Sequence, residues 1–123
     1  MDIYEKELSD KIIGCALEVY NYLGNGFLEK VYERALQKEL LCKGFDAELQ
    51  VPINVMYKGE SVGDYYADII VENKIILELK HCTDIENIHI AQLINYLKAT
   101  NFKLGYIINF GNDKKLQFKR IIK

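Results

Sequence analysis

Residues 66–80 read Tyr66-Ala-Asp-Ile-Ile-Val-Glu-Asn-Lys-Ile-Ile-Leu-Glu-Leu-Lys80. Two apolar runs flank a short polar turn, a pattern typical of two strands joined as a hairpin. Side chains alternate between the two faces of a strand. In the second run both faces begin apolar, which predicts a central strand covered on two sides. Glu78 and Lys80 share one face where that strand ends, so we expect them at the mouth of a cleft.

The length of the turn decides whether Asp68 joins Glu78. A three-residue turn, residues 72–74, pairs Val71 with Ile75 and places Asp68 opposite Glu78. A two-residue turn would put the two carboxylates on opposite faces of the sheet, because a slip of one residue inverts a strand. A shared acidic site therefore predicts a three-residue turn or an equivalent bulge.

Two carboxylates this close repel each other, and one of them stays protonated unless a cation lies between them. Oxygen ligands on rigid strands suit Mg²⁺ or Mn²⁺, with water completing the coordination. A cation held by Asp68 and Glu78 would polarise a phosphate oxygen and acidify a bound water, while Lys80 stabilises charge in the transition state. Taken alone, the spacing fits a strand that ends in a surface salt bridge at least as well.

The rest of the chain surrounds this hairpin with further periodic segments. The predicted elements, in order, are helices over 4–23 and 27–43, strands over 47–57, 62–71 and 75–80, a helix over 83–99, and strands over 104–110 and 116–122. The third helix is expected to begin at a Thr83-x-x-Glu86 capping box. The second helix is expected to face inward with Leu28, Val31, Tyr32, Ala35, Leu36 and Leu40. This order predicts an α/β (α+β) fold with a mixed sheet flanked by helices.

Composition limits the class of protein. The chain has 123 residues, half of them apolar, and a single proline, so we expect one folded domain over residues 1–123. We see no apolar run near the roughly 20 residues that cross a bilayer and no secretory signal, so we expect a cytoplasmic protein without a membrane partner. A net charge of −2 gives no overall attraction to nucleic acid, so such binding would need a local basic surface.

Charged residues alternate along the second predicted helix. The stripe consists of Lys30, Arg34 and Lys38, interspersed with Glu29, Glu33 and Glu39. This arrangement is typical of a solvated, salt-bridged face. The C-terminal end is basic, with Lys114, Lys115, Lys119, Arg120 and Lys123, and is a weak candidate for phosphate contact.

Several segments together resemble a known family. The segment Gly26-Phe-Leu-Glu-Lys-Val-Tyr32 matches the motif that names the GxxExxY proteins, a branch of the PD-(D/E)XK superfamily. The likeness continues, in order, through Tyr57-Lys-Gly59, Asp68, Glu78-x-Lys80, Ala91-Gln-Leu-Ile-Asn-Tyr-Leu97 and Ile108-Asn-Phe-Gly111. The resemblance covers nearly the whole chain and implies a restriction-endonuclease-like core. Family members are generally inferred nucleases, so the likeness bears more on fold than on activity.

The resemblance also implies roles for the charged strand end. Asp68 and Glu78 would bind Mg²⁺, or Mn²⁺, together with the backbone carbonyl of Leu79, and Lys80 would be catalytic. The implied function is a metal-dependent nuclease acting on DNA, or less readily on RNA, and such small nucleases often form homodimers. The alternative is a catalytically silent nuclease-like scaffold that binds nucleic acid or a protein partner.

Three further residues match supporting elements of the superfamily. Glu29 matches a helical acidic residue that assists the metal, although a carboxylate in a first helical turn is favourable without any metal. Gln92 and Tyr96 resemble the Gln-x-x-x-Tyr element of the RecB-like branch, which positions substrate or the active site, and their spacing places both on one helix face. Gln92 could instead satisfy backbone groups, and Tyr96 could be a packing residue. His81 and His89 match no family motif and are expected to be ordinary polar residues.

Overall fold

This computed structural model describes residues 3–123, which contain three helices and five strands. In order they are α1 (Lys6–Leu23), α2 (Glu29–Cys42), β1 (Ala47–Tyr57), β2 (Glu60–Val71), β3 (Ile75–Lys80), α3 (Asn87–Thr100), β4 (Leu104–Asn109) and β5 (Gln117–Ile122). The predicted order of elements is confirmed. None of these helices is both long and apolar enough to span a bilayer.

The strands form one mixed sheet in the order β1-β2-β3-β4-β5. β3 and β4 run parallel, since α3 crosses over between them, whereas the other neighbours are antiparallel. Leu77 packs into the core beneath α1 and α2, while Ile76 packs with Leu93 of α3 on the opposite face. The prediction that β3 is a central strand covered on both faces is therefore confirmed.

The buried face of α2 differs from the predicted one. Tyr32, Leu36 and Leu40 are buried as expected, but Leu28 is 79% exposed and Val31 is 38% exposed. The helix begins at Glu29, so Leu28 precedes its first turn. The prediction was wrong for Leu28 and Val31 because the buried stripe is rotated toward position 33, which carries a glutamate.

The start of α3 also differs from the prediction. The helix begins at Asn87, four residues after the expected start, and its capping box is formed by Glu86 and His89. The Glu86 N–H donates to His89 Nδ1 at 3.0 Å. Thr83 lies in the preceding loop, where its carbonyl accepts a hydrogen bond from the Asn112 side chain. His89 is thus a capping residue.

β1 and β2 extend well beyond the rest of the sheet. They pair from Ala47–Val71 to Tyr57–Glu60, whereas β2 pairs with β3 only over residues 69–71 among the described strands. Residues 51–67 therefore form a two-stranded hairpin arm. The arm carries exposed large apolar side chains, namely Met56, Tyr57, Val62, Tyr65 and Tyr66.

Candidate active site

The turn between β2 and β3 has three residues. Val71 pairs with Ile75, and the Lys74 N–H donates to the Val71 carbonyl at 3.0 Å. Glu72 and Asn73 adopt left-handed backbone conformations, with φ of 53° and 51°. The predicted register is confirmed, and it carries residues 68 and 78 to facing positions.

The acidic pair, Asp68 and Glu78, lies at the point where β2 and β3 separate. Backbone pairing ends at Ile69 and Leu77. At the next position the Asp68 N–H donates to Glu78 Oε2 at 3.0 Å, and the Leu79 N–H donates to Asp68 Oδ2 at 2.8 Å. In an uninterrupted sheet a backbone carbonyl would accept each of these N–H groups. Here a side-chain carboxylate accepts it instead. The two side chains hold the strands together where the gap between them opens.

Burial perturbs both carboxyl groups. The Glu78 residue is 4% exposed, and burial followed by the negative charge of Asp68 raises the pKa of Glu78 to about 8. Burial also raises the pKa of Asp68, with a contribution from the charge of Glu33, while the hydrogen bond from Leu79 opposes the rise. At neutral pH the acidic pair, taken together, therefore holds a proton. A divalent cation could take the place of that proton.

The oxygen atoms around the pair suit a hard cation. Mg²⁺ typically binds one or two carboxylates and keeps several waters. The N–H and C=O of one strand residue point toward the same neighbouring strand, so the Leu79 carbonyl is directed, like its N–H, toward Asp68. Within residues 3–123, no three His, Cys, Asp or Glu side chains group as metal ligands. The donors that the pair offers, two carboxylates and a backbone carbonyl, are of the kind that Mg²⁺ or Mn²⁺ binds together with water.

α3 brings two further predicted residues to the acidic pair. The Lys80 ammonium donates to Gln92 Oε1 at 3.4 Å. Tyr96 is 7% exposed, and burial together with the charges of Glu78 and Asp68 raises the pKa of Tyr96 to about 12. The helix thus places an amide and a phenol beside the strand end that carries the lysine.

Glu29 lies farther out, exposed at the first turn of α2. Its charge adds to the rise in the pKa of Glu78, after burial and the charge of Asp68, and is the smallest of those three contributions. This position is compatible with contact through water and equally with a charge at a helix N-terminus.

Glu33 and Gln50 lie beside the acidic pair, although no motif in the sequence points to either of them. Glu33 is 4% exposed and accepts a hydrogen bond from Gln50 Nε2, which also lies 3.4 Å from Asp68 Oδ1. The expectation that Glu33 belongs to a solvated face was wrong. Its Oε2 lies 3.7 Å from the Lys30 ammonium. Gln50 has a φ of 50°, a strained conformation for a residue within a strand, and such strain concentrates at functional sites.

Tyr32 fixes the connection that precedes α2. It is fully buried, as expected of a core residue, and its ring stacks on Phe110 at a centroid distance of 4.6 Å and on His81 at 5.9 Å. Its hydroxyl donates to the Gly24 carbonyl and accepts from the Phe27 N–H at 3.1 Å. The last residue of the Gly26–Tyr32 motif therefore sets where α2 starts relative to the sheet.

Asn109 holds the chain that follows Lys80. It is fully buried, and its side chain bonds both the N–H and the carbonyl of Cys82, at 3.0 and 2.8 Å. It also accepts from the Gly111 N–H at 3.0 Å and donates to Gln117 Oε1 at 3.0 Å. A Cβ on Gly111 would lie 2.4 Å from the Cys82 nitrogen, so only glycine fits there. The segment 108–111 thus has a structural role beside the site.

Comparison with known proteins agrees with this architecture. The crystal structure of the protein SSO0001 matches with a TM-score of 0.58 and 21% identity over 98% of this chain, and at that identity the likeness concerns the fold alone. The chain spans 59% of the length of that protein. No curated protein matches. The family model of the PD-(D/E)XK nuclease superfamily matches residues 6–121, and the mixed sheet with flanking helices is consistent with a restriction-endonuclease-like fold. The chain therefore belongs to the PD-(D/E)XK nuclease superfamily.

Proposed function

We propose that this protein is a nuclease that uses Mg²⁺ or Mn²⁺ to hydrolyse phosphodiester bonds, with DNA favoured over RNA as substrate. One observation carries the proposal. The half-buried Asp68 and the buried Glu78 form an acidic pair at the point where two strands part, and each carboxylate accepts a backbone N–H from the other strand. Membership of a superfamily whose members are usually nucleases supports the same conclusion.

The residues that would hold the cation are Asp68, Glu78 and the Leu79 carbonyl. When bound there, the cation would supply charge for a phosphate oxygen and lower the pKa of a coordinated water. Cation binding would also displace the proton that Glu78 retains near neutral pH, since burial and Asp68 raise its pKa to about 8.

Lys80 is proposed to stabilise the reacting phosphate. In hydrolysis a water oxygen bonds to phosphorus, one phosphorus–oxygen ester bond breaks, and the leaving oxygen takes a proton. The Lys80 ammonium, partly buried and close to the acidic pair, would offset the negative charge that develops on the phosphate oxygens. Gln92 would orient that ammonium through the hydrogen bond it accepts, Tyr96 would support Gln92, and Glu29 would orient water at the outer side of the site.

The test is cleavage of labelled single-stranded DNA, duplex DNA and RNA in Mg²⁺, in Mn²⁺ and in EDTA. We expect cleavage of at least one substrate that requires metal and is abolished by Glu78→Gln and by Lys80→Met. Lys38→Met, an exposed position on α2, is the matched control and should cleave normally. Cleavage that survives either site substitution would refute the assignment.

A second function is a scaffold that binds nucleic acid or a protein partner without cutting. It is favoured by the hydrogen bonds of the acidic pair, because each carboxylate accepts a backbone N–H and so has a structural role in linking the two strands. Calorimetric titration with Mg²⁺ and Mn²⁺ separates the two functions. Absence of metal binding, together with salt-sensitive binding of nucleic acid, would favour the scaffold.

A further inference from the structure

A groove of about 710 Å³ separates α3 from the hairpin arm. Its walls include Asn54, Met56 and Tyr65 from the arm and Gln92, Asn95 and Tyr96 from the helix. We propose that this groove binds single-stranded nucleic acid and leads the unpaired strand to the acidic pair. That the nucleic acid is led to the acidic pair rests on the proposed nuclease function, whereas its binding in the groove does not.

The groove is continuous with the candidate active site. Gln92 lines the groove and also accepts the hydrogen bond from Lys80. Tyr96 lines the groove as well, and it lies close enough to Glu78 and Asp68 for their charges to act on its phenol. A strand lying in the groove would therefore reach the acidic pair without leaving the protein surface.

An aromatic ring is presented for stacking on one wall. Tyr65 is 47% exposed, and its ring centroid lies 5.6 Å from that of the buried Tyr96, which supports it from one side. Bases stack on such rings largely irrespective of sequence. In a duplex the base faces are covered by neighbouring pairs and only base edges are open in the grooves. A free tyrosine ring therefore selects unpaired bases.

The charge of the groove suits a phosphate backbone. Although the chain carries 18 acidic residues and a net charge of −2, none of the described residues lining the groove is Asp or Glu, and Lys98 is among them. The amides of Asn54 and Asn95 offer both donors and acceptors to base edges. The groove lining thus carries one positive charge and no negative charge, so a phosphate backbone is not repelled there as it would be by the overall charge of the chain.

The proposal is tested by fluorescence anisotropy of labelled single-stranded DNA, single-stranded RNA and the matching DNA duplex, all in EDTA so that no cleavage occurs. We expect either single strand to bind at least tenfold more tightly than the duplex. Tyr65→Ala should weaken binding of the single strand by about 5- to 140-fold, the range for loss of one stacked base. Tyr65→Phe should restore it, because the ring is retained.

Two matched variants complete the design. Tyr57→Ala removes a tyrosine that is 62% exposed on the same hairpin arm but outside the groove lining, and it should bind as the natural chain does. Lys98→Gln should reduce the dependence of log K on log salt by about 0.7, the value for one phosphate contact of a single strand.

Equal affinity for duplex and single strand would overturn the proposal, and so would a Tyr65→Ala protein that binds normally. Sedimentation could instead show a dimer that nucleic acid leaves intact and that Tyr65→Ala abolishes. That result would assign the groove to a second copy of the chain and would likewise overturn the proposal. Groove binding without metal-dependent cleavage supports this inference and refutes the nuclease. Metal-dependent cleavage of duplex DNA that Tyr65→Ala does not change supports the nuclease and refutes this inference.

Discussion

Replacing Glu78 by glutamine should change how the stability of the metal-free protein depends on pH. The substitution keeps the size of the side chain and an oxygen that can accept the Asp68 N–H at 3.0 Å. It removes the group whose pKa burial and the charge of Asp68 raise from 4.5 to about 8. Any difference in the pH dependence of unfolding therefore reports the titration of this buried carboxyl.

The sign follows from proton binding. Between pH 4.5 and about 8 the folded protein holds a proton on Glu78 that the unfolded chain releases. The associated stability is present in full below pH 4.5 and is lost as the pH rises through about 8. The pKa difference corresponds to at most about 5 kcal/mol, of which about 3 kcal/mol is lost between pH 5.5 and pH 8. The side chain is almost fully buried, so solvent screening reduces this little.

Urea unfolding in EDTA at pH 5.5 and pH 8 measures the effect. The natural protein should lose up to about 3 kcal/mol more than Glu78→Gln over this interval. Glu48→Gln, an exposed position on β1, should behave as the natural protein. Saturating Mg²⁺ at pH 8 should stabilise the natural protein and leave Glu78→Gln unchanged. Parallel pH curves for the natural protein and Glu78→Gln would refute the raised pKa of the buried Glu78 carboxyl.

Three other substitutions test the supporting structure. Asn109→Ala should cost about 2–4 kcal/mol in urea unfolding, because several buried groups lose their partner, whereas the exposed Asn21→Ala on α1 should cost little. Glu33→Gln should lower the pKa of Asp68, since it removes a charge that raises it, and a carboxyl NMR titration that shows no decrease would contradict the contact. Deleting Asn73 should abolish Mn²⁺ binding in calorimetry, because it inverts the strand register, while Asn73→Gly, at φ 51°, should retain it.

The hairpin could be predicted from sequence because local rules fix it. Alternation set β1 at residues 47–57, and the two apolar runs set β3 at residues 75–80, with bounds that match the structure. A requirement for a shared acidic face predicted the three-residue turn. These features depend on residues close in sequence, and no distant contact competes with them.

The features that escaped prediction depend on distant contacts. The burial of Glu33 follows from Gln50, whose left-handed backbone turns an amide toward both Glu33 and Asp68. The helical periodicity of α2 cannot show that Glu33 has a hydrogen-bond partner, because Gln50 lies on β1. The start of α3 was ambiguous in the sequence, because Glu86 can be the last residue of a capping box that begins at Thr83 or the first residue of one that ends at His89. The folded structure contains the second.

The hydroxyl of Tyr32 has a consequence for how sequences of this kind are recognised. It closes the loop between α1 and α2 and touches no member of the acidic pair among its recorded hydrogen bonds. A search keyed on residues 26–32 therefore collects chains that share an architecture, whether or not they cut a phosphate ester. Within such a set of chains, an acidic pair and a lysine at the point where two strands separate would mark the enzymes.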